Sequence, residues 1–391
     1  MERPDHCTRL RRAITALFLE TSGPLLESTA WRRPERQHLR TQAPPPDSTA
    51  KGTMARCCNA ARWTAARAYT RRMSEILRAS WLGALFAMAV LDADGAEAER
   101  AQYVDLTAHF SRFVDETAGM EGTARIALFH KQMDTLLPGF YAPRFGLTPA
   151  QYDANIARAL GESKARRREH ERVQREFPAA FYAGLQHFRR AFAGFTLDVP
   201  VYLVHSVGEM DGGTRELGGK THLIFGADVI AQLHEPGDLT AFLDHELFHV
   251  ENGKHFPDCE QVWCPLWAEG LATYAAKVMN PGASDRELLL TVPKPIRPAV
   301  EANWPGALCF VRSKLFSADP ADVGALFVGG ADENEFPERF GYFVGMRVIE
   351  ELGGEYELPE LARMSPDRAK SVLMVSLDRM IHKVGGCDSA N

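Results

Sequence analysis

Apolar residues recur at helical spacing over 103–118 and again over 122–136, where the run stops at Pro138-Gly139. Thr148-Pro149 pairs a capping residue with proline at the first helical position. It predicts a helix to about Ala165, and a heavily charged second one to about Phe192. The pattern changes at Gly194. Residues 195–205 are rich in β-branched and aromatic side chains and predict a strand, and 221–226 predict a second, shorter one. The glycines between them (Gly208, Gly212, Gly213, Gly218 and Gly219) match no phosphate-binding loop and read as turns. Helical spacing resumes over 238–252, 265–279, 298–314, 337–352 and 366–382. No internal repeat interrupts this order. Helices, a small sheet, then helices again predict a mostly helical α+β fold, not alternating βαβ units. The charge run 164–176 reads as a solvated helix face.

The first hundred residues follow another pattern. Residues 1–72 hold Arg-rich clusters, a proline run at Pro44–Pro46 and one short apolar patch at 14–19. They read as a disordered or misassigned N-terminal extension. Residues 73–98 resemble a signal peptide. Arg71, Arg72 and Arg78 precede an apolar stretch at 81–91, and Ala96-Glu97-Ala98 is a small-x-small cleavage site. About twenty apolar residues are needed to span a bilayer, so no stable membrane anchor is expected after cleavage. The alternative is a buried core helix at 78–91. The signal reading predicts a periplasmic or secreted protein, a start at Met73 or Met54, and a working domain over 99–391. That domain divides into a helical part (99–193), a part with the sheet and metal-binding helices (194–280) and a helical C-terminal part (281–391).

Charge sharpens the division. The 391-residue chain has a formal net charge of −6, yet residues 1–80 carry 15 basic against 7 acidic residues, leaving −14 on the remainder. An acidic domain without a basic stripe argues against a nucleic-acid partner. Cys259, Cys264, Cys309 and Cys387 follow the cleavage site, an even number suited to an oxidising compartment. Cys259 and Cys264 are near enough to pair across a loop; four free thiols remain the alternative.

The chemistry concentrates at His245-Glu246-Leu247-Phe248-His249. Residues four apart share a helix face, so both imidazoles can reach one metal ion, and Glu246 is placed beside it to take a proton from water. A catalytic Zn²⁺ needs a third protein ligand. Glu269 offers one, with nineteen residues between it and His249, in Leu266-Trp267-Ala268-Glu269-Gly270-Leu271-Ala272-Thr273-Tyr274. His205, His222, His234 and His255 read as surface or hydrogen-bonded residues, because the His₂Glu set is already complete.

HExxH followed by W-x-E-G-x-A-x-Y resembles the gluzincin metallopeptidases. It is similar to bacterial families of predicted zinc-dependent proteases and, distantly, to the aminopeptidase N type. The close match covers 238–274. The resemblance implies a zincin-like fold, with a small sheet before the HExxH helix and an active-site cleft between two lobes. It implies His245, His249 and Glu269 as zinc ligands and Glu246 as general base. The G-x-M-E-N exopeptidase signature is missing, which leaves exo- and endopeptidase action open. Thr273 stands where thermolysin-like enzymes place a carboxylate, and either hydrogen-bonds a ligand histidine or only packs. Gluzincins commonly supply a downstream tyrosine to the oxyanion, and Tyr342 in Arg339-Phe340-Gly341-Tyr342-Phe343-Val344-Gly345 is the candidate, against a plain core aromatic. Tyr274 reads as structural. The strand over 221–225 is expected either to border the cleft and pair with substrate or to lie inside the sheet.

The function expected is hydrolysis of peptide bonds in a peptide or protein substrate by an exported zinc metallopeptidase. The alternatives are a zinc hydrolase acting on a non-peptide or cell-wall amide, and an exported, non-catalytic zinc-binding scaffold. Substrate and oligomeric state are not legible in the sequence.

Overall fold

The computed structural model describes residues 103–144, 147–235, 237–256, 259–328 and 335–387. The expected extension and signal-like segment, 1–72 and 73–98, lie outside the described residues. The architecture is α+β and mostly helical. Strand β1 (Tyr103–Asp105) leads into helices α1 (Thr107–Glu116), α2 (Gly122–Leu136), α3 (Pro149–Glu162) and α4 (Arg167–Ala191). Strands β2 (Val201–Val204), β3 (Gly212–Leu217) and β4 (Lys220–Gly226) come next. Then follow α5 (Ala227–Leu233), α6 (Thr240–Asn252), α7 (Trp263–Met279), α8 (Arg297–Ala302) and α9 (Trp304–Lys314). The order closes with α10 (Pro320–Phe327), α11 (Phe340–Leu352), α12 (Leu358–Ala362) and α13 (Pro366–Lys383). None of the helices among the described residues is long and apolar enough to cross a membrane.

The sheet has the order β1-β2-β4-β3, parallel except for the antiparallel edge strand β3. Both faces are covered, which is why β2 and β4 read as continuous apolar runs. Val201, Leu203, Leu223 and Phe225 enter the main core with α4, α6, α7 and α11. Val204 and Ile224 point the other way, into a second cluster with Phe110, Phe129 and Ile156 from α1, α2 and α3.

Several expectations need correction. The helix read from residue 103 starts at Thr107, where Asp105 accepts hydrogen bonds from the Thr107 N–H and hydroxyl. Residues 103–105 are a strand because they pair with β2, nearly a hundred residues away, which local periodicity does not register. The strand read over 195–205 shrinks to Val201–Val204; Phe195 and Leu197 are buried in the core without joining the ladder. The glycine-rich stretch is only partly turn. Gly218 and Gly219, with φ of 58° and 74°, form a tight hairpin, but Gly212 and Gly213 belong to β3. The helix over 298–314 is two helices, broken at Asn303, whose side chain caps the second by accepting from the Gly306 N–H. The helix read from 337 starts at Phe340. Thr148 and Gln151 form the full capping box of α3.

Candidate metal centre

Helix α6 carries His245 and His249 one turn apart, with Glu246 next to His245, and α7 carries Glu269 against the two histidines. The two Nε2 atoms are 3.1 Å apart, and each lies 3.3 Å from Glu269 Oε2. Metal bonds of about 2.0–2.1 Å in a tetrahedron require ligand–ligand edges of about 3.3 Å. The three donor atoms therefore have the spacing of one tetrahedral face, and this His-His-Glu group can hold a metal ion. Among the described residues no other such group of His, Cys, Asp and Glu side chains comes together.

The fold sets this spacing through named contacts. The Asp244 carboxylate, buried beside His245, binds His187 Nδ1 of α4 at 2.9 Å and accepts from Asn280 Nδ2 at the end of α7 at 2.7 Å. It thus ties three helices together behind the ligands. The other end of α7 is held by a disulfide between Cys259 and Cys264, and by the Trp263 N–H donating to the Leu315 carbonyl. Fully buried Trp267 packs near-parallel to Phe256, which follows α6. The tryptophan of the motif is thus a core residue that fixes the α6–α7 loop. A second disulfide joins Cys309 to Cys387.

Glycine brings in α11. A β-carbon on Gly270 would lie 2.5–2.9 Å from the backbone of Gly345, so α7 and α11 cross at backbone contact. That crossing, one residue after Glu269 and three after Tyr342, delivers the tyrosine to the cleft. Tyr342 is buried, and its ring lies 6.4 Å from the His245 ring at 25°. Tyr274 packs against Gly353 instead, as a structural residue. The Thr273 hydroxyl donates to the Glu269 carbonyl of its own helix at 2.8 Å, so it does not orient a ligand histidine.

The opposite wall is β3. The strand over 221–225 belongs to β4, which is internal; the edge beside the cleft is supplied by Gly212, Gly213, Thr214 and Arg215. Hairpin order hid this, since the edge strand is the one the glycines disguised. Glu246 is buried between that edge and α6, and its Oε2 has no hydrogen-bond partner. A buried, unpartnered carboxylate oxygen beside the donor set is what a water or substrate proton would satisfy. Burial pushes the Glu246 carboxyl up to about 8, despite His249 nearby. Burial also opposes ionisation of Glu269, but the two imidazoles outweigh it and hold that carboxyl well below its usual range. Burial lowers His245.

The remaining histidines lie off the donor set. His205 is buried against Phe110, His234 binds Asp211 at 3.1 Å, and His222 Nδ1 meets the Lys220 carbonyl. Sequence reasoning did not single out Asp244, Gly212, Leu289 or Arg339. Of these only the Gly212-Gly213 pair left a signal, as glycines inside a strand. Comparison with protein-family models, with curated proteins and with solved structures gives no match for this chain.

Proposed function

We propose that this chain is a zinc-dependent peptide hydrolase of the gluzincin type, with a zincin-like fold whose cleft opens between the β3 side and the α11 side. The observation that carries the reading is the tetrahedral-face spacing of His245, His249 and Glu269 next to the unpartnered carboxylate of Glu246. Two imidazoles and one carboxylate suit Zn²⁺ better than a hard cation, which prefers oxygen alone. A bound zinc ion supplies Lewis acidity and makes water acidic enough to ionise near neutrality. Glu246 takes the proton from the attacking water and returns it to the leaving amine. In this reading the hydroxyl of Tyr342, which lines the same cleft, donates to the oxygen that gains charge. The exposed backbone edge of β3 runs along the cleft and suits an extended peptide.

A pure metal scaffold has no use for a buried carboxylate beside the ligands, which favours the catalytic reading over the scaffold. The two disulfides support work in an oxidising compartment, periplasmic or secreted.

The test is Glu246→Gln. We expect the variant to bind one equivalent of zinc and to lose cleavage of a denatured protein by about a thousandfold or more. Zinc-loaded wild-type protein that cleaves neither denatured protein nor a peptide library refutes the proposal, as does undiminished turnover in the variant.

A further inference from the structure

Arg339 directly precedes α11 and has a left-handed backbone, with φ 65° and ψ 14°. A non-glycine residue in that region carries backbone strain. Arginine also has no acceptor with which to cap the helix N–H groups, and its side chain makes no cap here. Glycine, asparagine or aspartate would serve the local backbone better. The reason for arginine must lie at its head group.

That head group is in the cleft. The guanidinium lies over the Tyr342 ring, 4.5 Å from its centroid. One of its N–H groups reaches the Leu289 carbonyl at 3.5 Å. Leu289 is itself left-handed, with φ 55°, and lines the same cleft. Among the described residues only three non-glycine positions have positive φ, and two of them are this touching pair. Strained backbone is thus concentrated where the loop bearing Leu289 meets the start of α11.

The stacked pair has a purpose. A cation over a ring face is attracted by the ring quadrupole, so the guanidinium holds the Tyr342 ring in its orientation. The ring also packs in an edge-on arrangement with Phe327, 5.9 Å between centroids. Resting on the hydrolase reading above, we propose that Arg339 is a positioning residue. Its guanidinium, tied to the Leu289 carbonyl and lying on the Tyr342 ring, fixes that ring so that its hydroxyl serves the oxygen held beside His245, His249 and Glu269.

Arg339→Gly is the informative variant, because it removes the head group and relieves the backbone at once. It should be compared with Tyr342→Phe and with the double variant, all zinc-loaded. We expect Arg339→Gly to keep its zinc and to melt at or above the wild-type temperature. On fluorescently labelled casein its kcat should fall about 10- to 100-fold, with KM changed less than about threefold. The double variant should be no more than about threefold worse than Tyr342→Phe alone. A phosphinic peptide, which presents a tetrahedral anion, should bind about tenfold more weakly to either single variant by calorimetry, and no more weakly to the double. Losses that multiply in the double variant, a rise in KM in place of a fall in kcat, or a markedly lower melting temperature each overturn the role of Arg339 alone. Wild-type protein that binds zinc but neither cleaves casein nor binds the phosphinic peptide overturns the hydrolase reading, and this inference with it.

Discussion

A β-carbon on Gly212 would stand 2.9 Å from Cγ of Glu246 and 3.0 Å from its carboxyl carbon. The edge strand and the Glu246 carboxylate are therefore in direct contact, with no room for a side chain. Glu246 is buried because β3 lies on it, and burial is what raises its pKa. Gly212→Ala must displace the carboxylate, or Phe242, whose ring tip would be 2.7 Å away. We expect at least about a hundredfold loss of turnover with zinc binding intact, since a 1 Å misplacement of a catalytic group costs that much. Steady-state kinetics beside a metal titration check this; equal turnover in the two proteins would show that Glu246 has freedom to spare.

The three-donor face predicts linkage between metal and stability. A zinc ion held between α6 and α7 as proposed would favour the folded chain, so zinc at a hundred times its Kd should stabilise the protein by about 2.7 kcal/mol. His249→Ala and Glu269→Gln should each abolish most of that increment. Denaturant unfolding with and without a chelator measures it.

The candidate site was far more legible in the sequence than its surroundings. The four residues at its centre sit on two helices, where a fixed period converts spacing into direction. His245, Glu246 and His249 need only that period. Glu269 also needs the loop that Trp267 and Phe256 close. The sheet was less legible because its pairing is non-local. Residues 103–105 become a strand only through β2, and the edge at Gly212 is a strand only because β4 lies beside it. Arg339 was hidden for another reason. Its left-handed backbone contradicts its residue type, so propensity reasoning points away from it.

The crossing of α7 and α11 depends on Gly270 as the cleft wall depends on Gly212. In an ordinary helix, glycine to alanine gains about 1 kcal/mol. Here the added methyl meets the Gly345 carbonyl carbon at 2.5 Å and its Cα at 2.7 Å. Both are backbone atoms that cannot swing aside. Gly270→Ala should therefore destabilise the protein by about 1–3 kcal/mol and weaken zinc binding, because the helices must part beside Glu269. Thermal unfolding and a zinc titration of the variant test both halves, and a variant more stable than wild type would mean that the crossing is loose.

Away from the candidate metal centre, His205 contributes to the pH dependence of stability. Its ring lies flat on Phe110, 3.5 Å between centroids, with His170 edge-on at 5.0 Å. Asp228 is 3.4 Å away, and the Val207 N–H donates to His205 Nδ1. Burial pushes the imidazole down to about 4, against the attraction of Asp228. The unfolded chain takes up a proton on this histidine near pH 6.5, whereas the folded chain refuses it until about 4. Between those values the unfolded state binds more protons, so stability falls as pH falls; above pH 6.5 the contribution is complete and flat. The loss attributable to this one group reaches about 3 kcal/mol at most. His205→Gln keeps an acceptor for Val207 and cannot be protonated. We expect melting temperatures of the two proteins to converge from pH 7 towards pH 4, the variant losing less over that range. Parallel curves would assign the acid sensitivity of the fold to other groups.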